Sequence, residues 1–189
     1  MTFSFPCEQP STGAALAFAG LLQGKLPTLA TERLLLRAPK VEDFETYADV
    51  LCSDRGRLMG GPMSREAAWA DFSRVTANWL LHGHGAWTIG YHARVAGFVL
   101  LTFEPGDQEP ELGFILADWA EGQNVGFEAG LAALSHAFNT LGWTTLVSYI
   151  DPGNARSARL ARRLGAVRDG EIDEGGEITH VYRYRPECG

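Results

Sequence analysis

Apolar positions in this chain recur at two spacings, close to 3.6 and to 2, and the switches between them mark out its elements. Phe44, Tyr47, Val50 and Leu51 share one face of a helix predicted over 41–52. Trp69, Phe72, Val75 and Trp79 do the same for a helix running to about Leu81, with Ser64 as its N-cap. A third helix, over 127–141, keeps Phe127, Leu131, Leu134, Phe138 and Leu141 in step. Asn154 caps a fourth, over 155–164, which Gly165 stops. Short apolar runs at 34–36, 86–92, 95–102, 111–116 and 146–150 read as strands, the second and third joined by a tight Ala93-Arg94 turn. A hairpin of 166–172 and 178–184 around Asp173–Gly176 closes the chain. The order β-α-α-β-β-β-α-β-α-β-β predicts a mixed α/β, or α+β, fold with helices on both faces of a sheet.

Residues 1–27 stand apart as an N-terminal extension, and 28–186 form the one domain that 189 residues should make. Pro6, Pro10 and Gly13 precede an Ala/Leu stretch that is a short helix or a docking arm. Glu8 lies before this stretch and the first basic residue, Lys25, after it, the reverse of a secretory leader. No apolar run is long enough to span a membrane. At 46% hydrophobic residues the chain can bury a core without staples, and a net charge of -7 speaks against coating nucleic acid. Cys7, Cys52 and Cys188 are far apart and form no C-x-x-C, so they read as reduced thiols of a cytoplasmic protein. His82 and His84 are the nearest thing to a metal pair and lack a third ligand at suitable spacing, so no metal is expected. Trp69, Trp79 and Trp87 read as core or cleft wall.

Two strand–loop–helix junctions carry candidate chemistry. At the first, Gly122, Gln123, Asn124, Val125 and Gly126 lead into the third helix, where free backbone N–H groups and the helix dipole suit an anion. The alternative is that Gly122, Gly126 and Gly130, spaced by four, let the helix pack closely. At the second, the helix after Asn154 carries Arg156, Arg159, Arg162 and Arg163 and no acid, which reads as a solvated basic face or as a partner for phosphate. From Glu104 to Glu128 the acids Glu104, Asp107, Glu109, Glu111, Asp118, Glu121 and Glu128 occur with no Lys or Arg among them. Glu111 differs from the rest in opening an apolar strand.

Three segments carry a resemblance: Glu111-Leu112-Gly113-Phe114-Ile115-Leu116, the loop from Glu121 to Ala129, and Asp151 to Ser157 continuing through Leu164-Gly165-Ala166. Together they resemble the acetyl-CoA-binding core of the GNAT N-acetyltransferases. Thr31 to Arg37 resembles the opening of the RimJ/RimL branch of that family. The resemblance implies a mostly antiparallel twisted sheet, splayed between the Glu111 and Leu146 strands. It implies direct transfer of acetyl from acetyl-CoA to an amine, a protein N-terminus or a small molecule, with a homodimer left open. It implies Glu111 as general base, Ser157 near the sulfur, and cofactor contacts from Phe114, Ile115, Leu116, the 122–126 loop, Asn154, Ser157 and Arg163. Glu121 stands where the family usually has Gln or Arg, Asn124 where it has Gly, and Ala161 where many members have a Tyr acid. These departures keep a second class in view, a non-catalytic module that binds acetyl-CoA or docks a partner.

Overall fold

The computed structural model describes residues 5–186; Cys188 lies outside them. An apolar helix, α1 (Gly13–Gln23), precedes the domain, and none of its residues is buried. The domain is one eight-stranded sheet in the order β1-β2-β3-β4-β5-β6-β8-β7. The strands are β1 (Leu29–Ala30), β2 (Leu35–Arg37), β3 (Ala86–Tyr91), β4 (Arg94–Thr102), β5 (Glu111–Leu116), β6 (Leu146–Ile150), β7 (Val167–Glu174) and β8 (Glu177–Tyr184). All pairings are antiparallel except β5 with β6. Helices α2 (Phe44–Leu51) and α3 (Arg65–His82) cover one face, and α4 (Val125–Ser135) covers the other. A fifth helix, α5 (Ala155–Arg163), follows β6.

Two cores result. On one side Phe44, Tyr47, Phe72 and Val75 pack on Phe98, Leu100 and Ile115. On the other, Val125, Ala129 and Ala133 pack on Val99, Leu101, Leu112 and Leu146. The central strand β4 is apolar at nearly every position because it is covered on both faces.

Several details depart from the pattern reading. Turn residues His92 and Ala93 both have positive φ (49° and 57°), so the β3–β4 turn falls one residue earlier than Ala93-Arg94. The His-Ala pair carries none of the Asn-Gly chemistry that marks such turns. The helix predicted over 41–52, α2, begins as a 3-10 turn at Val41–Asp43. The third begins at Val125, ends as α-helix at Ser135 and runs on as a π turn over His136–Thr140. Its buried face is wider than the stripe: Val125, Gly126, Ala129, Gly130 and Ala133 join Leu134 inside, Phe127, Phe138 and Leu141 pack against the core, and Leu131 is exposed. A Cβ at Gly130 would come within 2.7 Å of Leu164 and 3.0 Å of Phe114, so small residues let the helix lie close.

His136 is buried in the π turn, edge-on to Trp87 with ring centroids 5.2 Å apart, and its Nε2 has no hydrogen-bond partner among the described residues. Desolvation lowers its pKa below the ordinary 6.5. The unfolded chain therefore takes up a proton that the native one refuses, and stability should fall as pH drops below about 6.5. His136→Phe, which keeps a ring against Trp87, should flatten the pH dependence of the thermal midpoint between about pH 7 and 5. Parallel curves for the two proteins would exclude His136 as its source.

Candidate active site

The sheet parts between β5 and β6. The two strands share one register pair, Glu111 with Val147, and Val147 N–H donates to the Pro110 carbonyl at 3.0 Å. Beyond it side chains replace the ladder: Ser148 Oγ donates to the Leu112 carbonyl at 2.6 Å, and Tyr149 N–H donates to Glu111 Oε1 at 3.2 Å. Each satisfies a backbone group that the parting strands would otherwise leave unpaired. Tyr184 O–H, 3.1 Å from Ser148 Oγ, completes the cluster.

A cavity of about 920 Å³ opens from this split toward α2 and α3. Of the residues singled out in the sequence, Glu111, Phe114, Ile115, Asn154 and Ser157 line it together. Alternation in β5 turns Glu111, Gly113 and Ile115 to the α2–α3 face. Ala161 also lines the cavity and puts a methyl group where an acid was sought. Asn154 Oδ1 accepts the Ser157 N–H at 3.1 Å and caps α5. Acids predominate on the wall, with Asp71, Glu104, Asp107, Asp151 and Glu177 joining Glu111 against Arg57 and Arg74. Arg74 is already held by Asp71 at 2.5 Å and Glu104 at 2.7 Å.

Burial is the main cause that pushes the Glu111 carboxyl up to about 7. The Tyr149 N–H opposes this, and the charges of Asp107 and Glu104 add to it. Glu111 therefore holds its proton to much higher pH than an exposed carboxyl does. Burial likewise pushes the Tyr184 hydroxyl up to about 12, which leaves it a proton donor.

The other predicted residues lie beyond the cavity lining, at the far end of the slot. Gly122 and Asn124 have positive φ (72° and 62°), and no side chain caps the start of α4, so its first N–H groups are open to an anion. Gly126 has a packing duty: its Cβ would meet Leu116 at 3.0 Å and Leu160 at 3.2 Å. Four arginines gather on this loop. Arg33 Nη1 donates to the Gln123 carbonyl at 3.1 Å and Arg163 Nη2 to Asn124 Oδ1 at 3.0 Å. Arg55 and Arg156 both grip the Glu121 carboxylate. Arg55 also donates to the Leu116 carbonyl at 3.1 Å and pairs with Asp118 at 2.6 Å.

Sequence reasoning missed Arg33, Arg55, Ser148 and Tyr184. The arginines come from segments far from the loop, and the two hydroxyls sit in strands where they read as ordinary strand residues. His82 and His84, 5.8 Å apart and stacked, do structural work, with His84 Nδ1 2.8 Å from the Leu101 carbonyl. The unpaired edge of β5, the uncapped start of α4 and the surrounding arginines suit a long ligand with amides at one end and phosphates at the other.

A sequence profile described as the acetyltransferase (GNAT) domain matches residues 33–167. The crystal structure of an acetyltransferase from Agrobacterium tumefaciens strain C58 superposes with a TM-score of 0.80 at 38% identity, over 86% of this chain and 96% of that one. RimL, a ribosomal L7/L12 α-N-protein acetyltransferase, gives a TM-score of 0.71 at 15% identity over 85% and 95% of the chains. The microcin C7 self-immunity acetyltransferase MccE, solved with acetyl-CoA and AMP, gives 0.67 at 15% identity over 82% and 94%. These last two share the fold. The profile match over well more than half of the chain, on a sheet split in this way, places the protein in the GNAT acetyltransferase family.

Proposed function

We propose that this protein transfers acetyl from acetyl-CoA directly to a primary amine, with Glu111 as the base that deprotonates the amine. The observation that carries the reading is a carboxyl with a pKa near 7, placed where the sheet splits and facing an acidic cavity. An alkyl amine has a pKa of about 10 and an α-amino group about 8, so the acceptor arrives as an ammonium ion. The acidic wall attracts that ion, and Glu111 takes its proton directly or through a water. Acetyl-CoA supplies an activated acyl group on a good leaving group. The β5 edge from Phe114 to Leu116 aligns its amide-bearing arm as an added strand would be aligned, and the 122–126 loop with Arg163 receives its phosphates. Ser157, at the cavity wall on the first turn of α5, is placed to hydrogen-bond the departing thiolate. The likeness of Thr31–Arg37 to the RimJ/RimL branch favours a protein N-terminus over a small-molecule amine as acceptor. The reading assigns the activity to residues 28–186 of a cytoplasmic protein.

Glu111→Gln keeps the acceptor for Tyr149 N–H but cannot take a proton. With acetyl-CoA and a panel of amines, its rate should fall by roughly 10²–10⁴-fold at neutral pH. The wild-type kcat/KM should show an acidic limb near pH 7 that the variant lacks. Full activity in the variant across pH removes Glu111 as base, and wild-type protein that binds acetyl-CoA but acetylates no amine favours the docking module.

The same substitution should stabilise the fold. Because the folded pKa of Glu111 lies above the ordinary 4.5, the stabilisation from its protonated form is present below about 4.5 and lost as pH rises through about 7. A neutral amide escapes that loss, so Glu111→Gln should gain on the order of 2 kcal/mol over wild type at pH 8 and nearly nothing at pH 4, by denaturant unfolding. Equal stability at both pH values would show that the carboxylate bears no desolvation penalty.

For the cofactor loop, exposed Gln123 is a cleaner probe than Gly126, whose substitution would also disturb Leu116 and Leu160. Gln123→Glu adds a negative charge beside the α4 N-terminus and should weaken acetyl-CoA binding by about fivefold, fading with added salt. An unchanged affinity at low salt would remove the loop from the phosphate site.

A further inference from the structure

Glu121 is the residue of the loop that fits phosphate binding least, and its surroundings give it a role. Its two carboxylate oxygens are divided between two guanidinium groups, Oε1 on Arg55 and Oε2 on Arg156. Arg55 comes from the 3-10 turn Asp54–Leu58, and Arg156 from the first turn of α5. Glu121 follows β5 and Arg156 follows β6, so their contact rejoins, at the far end, the two arms that part at Glu111. A ligand lying between β5 and β6 with its phosphates at the start of α4 meets this bridge.

We propose that Glu121 is an internal stand-in for cofactor phosphate, holding Arg55 and Arg156 across the mouth of the slot until acetyl-CoA takes them over. The inference rests on the acetyl-CoA reading above. A carboxylate between two guanidinium groups makes the charge-assisted hydrogen bonds that a phosphate oxygen pair would make. Arg55 is fixed independently of Glu121 by the Leu116 carbonyl and Asp118, at 3.1 and 2.6 Å. Its Nε is buried and has no hydrogen-bond partner among the described residues, so the group keeps a donor in reserve. Arg156 is by contrast largely exposed, and Glu121 is its ion-pair partner. Arg33 and Arg163 flank the same loop, and Arg163 has no carboxylate partner among the described residues. Arg33 is paired with Glu128 and Arg55 also with Asp118, so Glu121 is the one carboxylate here shared by two of the arginines. The stand-in lets the arginines be ordered before the cofactor arrives, at the cost of competing with it.

Calorimetric titration of acetyl-CoA into the full chain, Glu121→Gln and Arg156→Gln tests this. Glu121→Gln should bind about tenfold more tightly than wild type, and Arg156→Gln about tenfold more weakly. Salt gives a second readout. Wild type exchanges one set of ion pairs for another, so its affinity should depend weakly on NaCl between about 50 and 300 mM. Glu121→Gln only forms new pairs, and its affinity should fall more steeply. Glu121→Ser should behave as Glu121→Gln does, with circular dichroism confirming the fold of each variant. Binding by Glu121→Gln that is no tighter than wild type, with the same salt slope, overturns the stand-in while leaving the acetyl-CoA reading intact. Absence of acetyl-CoA binding in all of the proteins overturns the acetyl-CoA reading itself.

Discussion

A sheet that opens in its middle leaves backbone N–H and C=O groups facing a gap, and satisfying them is the constraint on which the rest of this structure depends. Here the repair is local. Ser148 covers the Leu112 carbonyl, Glu111 covers the Tyr149 N–H, and the strands then diverge with an edge of β5 still to be paired. The two cores hold the halves of the sheet in that posture: α2 and α3 pack against β3 to β5 on one side, and α4 packs on β4 and β5 and against α5 on the other.

The slot that results is polar in the sense of a battery. Near Glu111 the wall is acidic and Arg74 is already neutralised by Asp71 and Glu104. At the other end, the start of α4 is surrounded by Arg33, Arg55, Arg156 and Arg163. Under the proposed function, this polarity would draw a cationic acceptor and an anionic donor to opposite ends, with their reacting groups meeting where β5 and β6 separate.

Much of this was legible in the chain because periodicity and junction chemistry are local. Glu111 announced itself as a carboxylate at the head of an apolar strand, and Asn154 as a cap before a basic helix. What local patterns do not encode is which side of an element meets which neighbour. The stripe from Phe127 to Leu141 packs against the core except at Leu131, but the pattern missed Ala129 and Ala133, which lie closest to the sheet because close approach rewards small residues there. Of the two roles the pattern left open for Gly126, the structure shows the packing one, since its missing side chain makes room for Leu116 and Leu160. Arg33 and Arg55 reach Gln123 and Glu121 from 90 and 66 residues upstream, and no spacing rule links them. Ser148 is a small polar residue in a buried strand, and its duty exists only because that strand has lost its neighbour.

Glu111 is held by the Tyr149 N–H as well as facing the cavity. With the base role proposed above, the residue would have two duties, and either would retain it. Were a descendant of this protein to give up turnover and keep only a binding role, drift to an aliphatic side chain would still leave the Tyr149 N–H without its acceptor. Selection for folding alone would then favour a carboxylate or a carboxamide at this position. The substitutions open to such a lineage are those that preserve the acceptor and discard the proton, so glutamine is the residue through which activity would be lost most quietly.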